Sequence, residues 1–505
     1  MGVAFQTGLR LSSLGRHAEA IEKYEQALAA EPDDPCILFA LGNTAHQLGL
    51  GVVAEQFFRQ VLSLDPGRTE AIVNLCNLLR ANGQFDAAIA LLDPAVACEP
   101  QSPELHVTLG SAWAEKGDAQ NAKAHYEAAL AARPDYAPAL ANLADLLCDQ
   151  GQRDKARSLY DKAVKADPKN PQARLNRAIL HLLNGDLKEG WRDYAARIEV
   201  PGKVPAFGKK GSEHHSAPWT GDNLKNKRLL VRAEQGVGDQ ILFASMLGEL
   251  AARAKAQGGS VVLECEPRLV ALFARSFPDI AVRPASIQTI AGSPVADYTW
   301  LKSAGGANTV TLMGSLPRYL RASWDNFPKP HSFLVPDASE VWHWKEALGG
   351  QANTKIGICW RSGKTGGHRA VQYAPLAAWA QFLRQSDASF VCVQYDATPE
   401  EIAQLEEISG KTILVPKGID QKNELDRACA LLAALDIVVS APTAVSWLSA
   451  GAGVRTLKVL YGLSWTALGC DYEPFAPACQ CVMPKQFGDW SNVFETVQEL
   501  IRAPA

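Results

Sequence analysis

A period of 34 residues runs through the first 195 residues and limits what this chain can fold into. Four residue types recur at this spacing: a glycine, an alanine, a bulky residue that is most often tyrosine, and a proline. In the first unit they are Gly15, Ala20, Tyr24 and Pro32, and the glycine series continues to Gly185. Several series in one register indicate a repeated structural unit whose neighbours stack into a solenoid.

Each recurring residue has a physical role in a pair of antiparallel helices. The glycine ends the first helix, because a left-handed backbone conformation is cheapest without a Cβ. The alanine lets the helices approach closely, the bulky residue fills the gap toward the next unit, and the proline stops the second helix. This pattern resembles the tetratricopeptide repeat, which implies an α-helical superhelix with a concave, protein-binding face.

Five units follow the pattern, and a sixth departs from it. The sixth carries Arg177 and Gly190 at positions where most units have leucine and alanine. An altered last unit is expected where a solenoid packs against another domain. The predicted domains are a repeat superhelix at 1–195, a linker at 196–226, a first α/β lobe at 227–340 and a second at 341–505.

Asparagines occupy one repeated position on the first helix of three units. They are Asn74, Asn142 and Asn176. Side-chain amides in a row both donate to and accept from an extended peptide backbone. The arrangement resembles the asparagine ladder of the eukaryotic O-linked N-acetylglucosamine transferase, which implies acceptor-protein binding. The alternative is a row of solvated polar residues on an exposed helix face.

The second half alternates short apolar strands with helical patterns, which is typical of parallel α/β layers. One series begins at RLLVRA and another at KIGICW, with an irregular, Trp-rich stretch at 318–352 between them. Two such lobes facing a cleft make the GT-B fold of glycosyltransferases. Ligands of these sheets lie at the carboxyl ends of the strands.

The first candidate motif follows the strand RLLVRA and contains Glu234, Gln235, Gly238 and Asp239. It resembles the EQGxGD turn of bacterial tetratricopeptide-repeat glycosyltransferases and the corresponding turn of heptosyltransferases. This resemblance implies that Asp239 is the catalytic base, since transfer to a hydroxyl needs a carboxylate near the acceptor proton. The alternatives are that Asp239 caps the helix and that Glu234 positions the substrate.

The second motif is a loop after the strand KIGIC, with Trp360, Arg361 and Ser362 followed by Lys364 and Arg369. Arginine or lysine beside a strand end stabilises the phosphate charge that develops as a sugar–nucleotide bond breaks. Such a protein-borne cation would replace a metal, and the resemblance to GT-B glycosyltransferases implies that none is needed. The alternative is a surface loop with solvated charges.

The third motif follows the strand LDIVV and contains Pro442, Thr443 and Ala444 at a helix start, which suits a phosphate or ribose. It resembles the donor-binding segment of heptosyltransferases, but Pro442 replaces an acidic residue and Trp447 a histidine. These departures argue against an ADP-heptose donor. The predicted donor-binding residues are Gly238, Gln235, Trp360, Ser362, Lys364, Arg369, Gln394, Tyr395, Pro442, Thr443 and Ala444.

Charge, hydropathy and cysteine content argue against several classes of protein. The net charge of −4 without long runs of one sign argues against a nucleic-acid or anionic-membrane partner. No apolar stretch reaches the roughly 18 residues of a membrane span, and the start lacks a secretory signal pattern. The 11 cysteines lie mostly in apolar segments, which indicates reduced thiols and a cytoplasmic location.

The combined hypothesis is a metal-independent protein O-glycosyltransferase without a resident cofactor. Asp239, Glu234 and Arg361 are its predicted catalytic residues, and the repeats hold the acceptor protein. The resemblance to bacterial flagellin glycosyltransferases implies flagellin as acceptor, a nonulosonic acid such as pseudaminic acid as the sugar, and a CMP-linked donor. The alternatives are a lipopolysaccharide or other glycan transferase, and a non-catalytic scaffold with a degenerate transferase fold.

Overall fold

The computed structural model describes residues 2–200, 206–207, 217–290, 293–303, 305–329, 331–349, 353–363, 372–485, 489–490 and 492–503. The chain divides into two compact units. One comprises Met1–Asn176 with Thr289–Pro294, and the other comprises Arg177–Gln288 with Val295–Ala505. The domain boundaries proposed from the sequence stay predictions, and residues 201–205 and 208–216 of the predicted linker lie outside the described residues.

The repeat region consists of helices in antiparallel pairs, as the 34-residue period predicts. The six glycines from Gly15 to Gly185 all have positive φ, between 72° and 96°, which is the left-handed conformation expected after the first helix of each pair. The helices are α1 Val3–Ser13, α2 His17–Ala30, α3 Pro35–Gln47, α4 Gly51–Leu64, α5 Thr69–Ala81, α6 Phe85–Cys98, α7 Pro103–Lys116, α8 Ala119–Ala132, α9 Ala137–Asp149, α10 Arg153–Ala166, α11 Pro171–Leu183 and α12 Leu187–Tyr194.

The bulky repeat residues pack within their own helical pair. A Cβ on Gly8 of α1 would lie 2.5 Å from the ring of Tyr24 of α2, and one on Gly42 of α3 would lie 2.7 Å from the ring of Phe58 of α4. The same rings reach the next unit as predicted, since Tyr24 shares a core with Ile37 and Leu41 of α3. In these two pairs the ring occupies the space that a side chain on the partner helix would need.

The sixth helical pair differs because α12 packs inside the second compact unit. Arg177 forms an ion pair of 2.7 Å with the buried carboxylate of Asp193. The indole N–H of Trp191 donates to the backbone carbonyl of Arg321, at 3.0 Å. A Cβ on Gly190 would lie 2.6 Å from Leu182. These contacts account for the departures from the repeat pattern.

The first α/β sheet has five parallel strands in the order β2-β8-β3-β4-β5, and a small sheet has the order β1-β7-β6. Helices pack on the faces of the five-stranded sheet around an apolar core. The strands are β1 Ala206–Phe207, β2 Ala217–Pro218, β3 Arg228–Arg232, β4 Ser260–Cys265, β5 Ile280–Pro284, β6 Ile287–Ile290, β7 Ser293–Ala296 and β8 Thr309–Leu312; the helices are α13 Val237–Ala244, α14 Leu247–Ala256, α15 Val270–Ser276, α16 Thr299–Ser303 and α17 Pro317–Leu320.

The second sheet has six parallel strands in the order β11-β10-β9-β12-β13-β14. Its central strand β9 pairs in parallel with both β10 and β12. The strands are β9 Lys355–Cys359, β10 Ser389–Cys392, β11 Ile413–Leu414, β12 Ile437–Ser440, β13 Arg455–Val459 and β14 Cys479–Val482; the helices are α18 Ala338–Ala347, α19 Leu376–Arg384, α20 Pro399–Ser409, α21 Leu425–Ala433, α22 Ala444–Gly451 and α23 Val493–Arg502.

The stretch predicted as irregular, 318–352, contains the ten-residue helix α18. Asp337 caps this helix, because its carboxylate accepts from the N–H groups of Ser339 and Glu340 at 2.9 and 3.1 Å. The mixed apolar and charged composition of this segment hid the helix. In the described part of the chain, no helix has the length and hydropathy that a bilayer crossing requires.

Candidate active site

A cavity of about 670 Å³ lies between the two parallel sheets, and we call it the cleft cavity. The loop after β3 and the start of α13 form one wall, and the start of α22 forms another. Seven of the residues predicted from the sequence line it: Gly238, Asp239, Ser362, Tyr395, Pro442, Thr443 and Ala444. The motifs therefore meet at the carboxyl ends of the strands, where parallel sheets bind their ligands.

Gly238 allows α13 to approach α22 closely. A Cβ at this position would lie 3.6 Å from the Cδ1 atom of Trp447 and 3.8 Å from the Cα atom of Ala444. A Cβ here would make ordinary contact with both residues, and a branched side chain would crowd the two helix starts.

Asp239 carries the carboxylate that lines the cleft cavity on the side of the first sheet. Helix α13 begins at Val237 with Gly236 at the N-cap, so Asp239 lies in the first turn of the helix. The alternative that Asp239 caps this helix is therefore wrong. The positive end of the helix dipole favours the ionised carboxylate, and the half-buried side chain lines the cavity.

Glu234 and Gln235 are directed away from the cleft cavity. The carboxylate of Glu234 accepts from the Arg197 guanidinium at 2.7 and 3.0 Å and from the N–H of Gly314 at 2.7 Å. The amide of Gln235 donates to the Tyr194 hydroxyl at 3.0 Å. Both residues thus hold the loop after β3 in place, whereas the sequence motif predicted catalytic and donor-binding roles.

Arg361 is held by two carboxylates of the second sheet. Its guanidinium donates to Glu401 at 2.6 and 2.8 Å and to the side chain and backbone carbonyl of Asp396 at 2.9 and 3.0 Å. The hydrogen bond to Glu401 raises the pKa of Arg361 above its usual value. A phosphate-facing role would require both carboxylates to release the guanidinium, so the predicted role does not follow from this geometry.

Gln394 and Trp360 shape the same loop from inside. The buried amide oxygen of Gln394 accepts from the N–H groups of Trp360 and Arg361, both at 3.0 Å, and its nitrogen donates to Asp396 at 2.6 Å. Trp360 is 2% exposed and belongs to the core of the second sheet. These two residues position the loop instead of lining the cavity.

The end of that loop does reach the cavity. The Tyr395 hydroxyl accepts from the N–H of Gly363 at 2.6 Å, which places Ser362 and Tyr395 on one wall. Lys364 and Arg369 lie outside the described residues. Their predicted contact with a phosphate therefore stays a prediction.

Thr443 caps α22, as the third motif predicts for a helix start. Its hydroxyl accepts from the N–H of Val445 at 3.3 Å. Trp447 lies one turn further, and the buried ammonium of Lys458 lies 4.4 Å from the centre of its ring. The start of α22 is thus packed firmly against the sheet, with Pro442 and the first turn of the helix lining the cavity.

Two cations of the cleft cavity were missed by the sequence analysis. Arg268 follows β4, and its guanidinium donates to Glu266 and to the backbone carbonyl of Lys422, both at 2.8 Å. Lys422 lines the cavity and is exposed, and no described carboxylate forms a salt bridge with it. Its position just after a strand was the only sequence feature that could have indicated Arg268 as a site residue. Lys422 lies in a charged loop, and no sequence feature indicated it.

The three repeated asparagines brace neighbouring helical pairs. Their amide nitrogens donate to a residue 31 positions earlier: Asn74 to Asn43 at 2.7 Å, Asn142 to Ser111 at 3.1 Å and Asn176 to Asp145 at 3.1 Å. Each is half-buried, which differs from the solvated alternative. Their contact with an acceptor peptide stays a prediction, and part of their hydrogen-bonding capacity serves the repeat itself.

Asp145 makes the stability of the repeat region dependent on pH. Burial raises the pKa of Asp145 to about 7, although Tyr160 and Asn176 both donate to its carboxylate. Between a pH of about 4 and about 7 the folded state holds a proton that the unfolded state has released. The free energy of unfolding therefore falls as the pH rises through this window, by up to about 4 kcal/mol.

Replacing Asp145 with asparagine should remove this dependence. We expect the melting temperature of the repeat transition in Asp145→Asn to change less between pH 5 and pH 8 than in the unaltered chain, by calorimetry. Asp135→Asn, an exposed carboxylate two residues before the same helix, is the control and should keep the original dependence. Equal pH profiles for Asp145→Asn and the unaltered chain would refute this assignment.

Comparison with known proteins agrees with the helical pairs. The tetratricopeptide repeat model matches residues 2–169, and a second model of the same repeat matches residues 142–203. Residues 2–169 are a tetratricopeptide repeat region. Arrays of this kind present extended surfaces to protein partners.

The chain is also a homologue of Protein FlbA of Caulobacter vibrioides. The two are 33% identical over 330 residues, which is 65% of this chain and 54% of Protein FlbA. The chain thus spans about half the length of this relative. Because the aligned stretch is longer than the repeat region, the relationship extends into the α/β part.

Two further similarities concern smaller stretches. The probable biofilm formation methyltransferase WspC of Pseudomonas aeruginosa is 34% identical over 79 residues, 16% of this chain and 19% of that protein. The crystal structure of a thermophilic TPR protein in Thermus thermophilus is 27% identical, with a TM-score of 0.32, and covers 35% of this chain and 97% of that chain.

Proposed function

We propose that the chain is a protein O-glycosyltransferase that binds a nucleotide-sugar in the cleft cavity and takes its acceptor protein from the repeat region. The observation that carries the proposal is the convergence of two helix starts on one cavity, with a carboxylate from α13 and the Thr443 loop of α22. Two parallel sheets on either side of such a cavity support the GT-B arrangement of glycosyltransferases that this proposal assumes.

The two walls suit different parts of the reaction. The start of α22 offers backbone N–H groups and a positive dipole end, which favour the phosphates of the donor. Lys422 adds positive charge on the same cavity, whereas Glu266 neutralises Arg268 through their ion pair of 2.8 Å. The carboxylate of Asp239 faces it from the other sheet and suits a neutral hydroxyl acceptor.

The chemistry follows from this division. Asp239 accepts the proton of a serine or threonine hydroxyl as its oxygen attacks the anomeric carbon of the sugar. The bond from that carbon to the phosphate oxygen breaks, and the nucleotide leaves with the electron pair. Lys422 and the α22 N–H groups stabilise the negative charge of the leaving phosphate. Flagellin is the proposed acceptor, with a nonulosonic acid from a CMP-linked donor.

Nucleotide binding gives the first test. A ligand that binds only the folded chain raises its stability by about 2.7 kcal/mol at one hundred times its dissociation constant. We expect CMP to raise the melting temperature of the full chain more than UDP, GDP or ADP does.

A matched variant shows whether the shift arises in the cleft cavity. Gly238→Val puts a branched side chain against Trp447 and Ala444, and it should abolish the shift. Gly248→Val is the control, because a Cβ on Gly248 meets no atom within 4 Å. A shift that survives Gly238→Val, or the absence of a shift with all four nucleotides, contradicts the proposal.

A further inference from the structure

A second cavity of about 440 Å³ lies beside the first sheet, and none of its lining residues lines the cleft cavity. We call it the arginine cavity. It lies where β3 and β8 end, between the helical segment that carries Trp191 and Arg197 and the short helix α17. The loop after β3 separates the cavities, with Arg232 beside the arginine cavity and Gly236 beside the cleft cavity.

The charge of the arginine cavity is positive. Its lining contains Arg197, Arg232 and Arg318 and no acidic residue. Glu234 neutralises Arg197 through their buried ion pair. The Arg232 guanidinium donates to the hydroxyl of Tyr298 and interacts with the buried carboxylate of Glu264, so Arg318 carries the charge that a ligand can reach. Arg318 is exposed, and no carboxylate in the described part of the chain forms a salt bridge with it. An anion is therefore the ligand that this cavity favours.

Aromatic rings form much of the remaining wall. Trp219 and Tyr319 line the cavity with their ring centres 5.0 Å apart, and Trp191 lines another side. The indole N–H of Trp219 is bonded to the carbonyl of Asp222, and that of Trp191 to the carbonyl of Arg321, both at 3.0 Å. Trp219 and Trp191 are each only 2% exposed, so the half-buried ring of Tyr319 offers most of the aromatic surface to the cavity.

Hydroxyl groups complete the lining. Thr311 and Ser315 lie on the cavity, and a hydroxyl both donates and accepts hydrogen bonds. An arginine fork matches a carboxylate with two parallel hydrogen bonds. A pyranose ring offers a C–H face for aromatic walls and hydroxyls for Thr311 and Ser315, and the volume is within the range of small-molecule sites.

We propose that the arginine cavity is a second ligand site, which binds the carboxylate of a carboxylated monosaccharide through Arg318. The sugar ring packs against the half-buried ring of Tyr319. This site does not depend on the proposed transfer reaction, because binding to it is measured without a nucleotide or an acceptor protein.

The test is isothermal titration calorimetry of the full chain with N-acetylneuraminic acid. We expect binding that weakens at least tenfold in Arg318→Gln, since the charge-assisted pair is lost, and that is partly kept in Arg318→Lys. Arg268→Gln, in the cleft cavity, is the matched control and should leave this affinity unchanged. Arg318 is exposed, so the variants are expected to keep the melting temperature of the unaltered chain.

Three further ligands separate the possible sources of affinity. N-Acetylmannosamine has no carboxylate, benzoate has no sugar ring, and an acetylated tri-aspartate peptide offers carboxylates on a chain. We expect all three to bind at least tenfold more weakly than N-acetylneuraminic acid. Equal binding of any of them, no binding of N-acetylneuraminic acid, or equal affinity of Arg318→Gln and the unaltered chain would overturn the proposal.

Discussion

Replacing Asp239 with asparagine should slow sugar transfer by about 10²- to 10⁴-fold, the range expected when a general base is removed. The amide keeps the size of the side chain but cannot take the proton of the acceptor hydroxyl. Because Asp239 lies on the opposite wall from the Thr443 loop, donor binding should change little. The effect should therefore appear in kcat and leave KM for the donor nearly unchanged.

The measurement is the initial rate of nucleotide release by the full chain with the donor and the acceptor protein present. Asp279→Asn is a matched control, because Asp279 is an exposed carboxylate of the first sheet paired with Lys255 at 2.9 Å. The control should retain the original rate. A rate for Asp239→Asn within threefold of the control would remove Asp239 from the mechanism.

Replacing Arg197 with methionine should destabilise the second compact unit by about 3–5 kcal/mol. The side chains of Arg197 and Glu234 are 4% and 1% exposed and form two hydrogen bonds, at 2.7 and 3.0 Å. Removing the guanidinium leaves the carboxylate of Glu234 buried without a counter-charge. The loss should appear as a lower denaturation midpoint of this unit.

A second variant separates the ion pair from the packing of the side chains. Arg197→Met with Glu234→Gln removes both charges, and the glutamine oxygen still accepts from the N–H of Gly314. This double variant should recover most of the lost stability. Lys255→Gln, which breaks an exposed ion pair, should cost less than about 1 kcal/mol. If Arg197→Met costs no more than Lys255→Gln, the pair does not hold the β3 loop.

The repeat region was predictable because its determinants lie close together in the sequence. Gly15 adopts a left-handed backbone conformation just after the first helix of its pair. Ala20 and Tyr24 lie on the next helix and contact the first one. The register of these residues therefore fixes the helical pairs without any knowledge of distant contacts. Strand β2 at the edge of the first sheet has two residues, which is too little sequence to show a pattern.

The site was predictable at its backbone and less so in its side chains. Strand ends placed Asp239 and Thr443 on one cavity, since parallel strands bring their carboxyl ends together. The ion-pair partners of Arg361 and Glu234 could not be seen in the sequence. Arg361 pairs with Glu401, 40 residues away, and Glu234 pairs with Arg197, 37 residues away. Ion pairs between residues far apart in the chain produce no regular spacing in the sequence. Arg361 and Glu234 were therefore predicted to act at the site, although both have structural roles.

The intact mass of flagellin tests the account most directly. The full chain and its Asp239→Asn variant are each co-expressed with flagellin in cells that make the nucleotide-sugar, and the purified flagellin is weighed by mass spectrometry. The account predicts an added mass of one or more nonulosonic acid residues with the unaltered chain, and unmodified flagellin with the variant. Flagellin of the same mass in both cultures, modified or not, would contradict it.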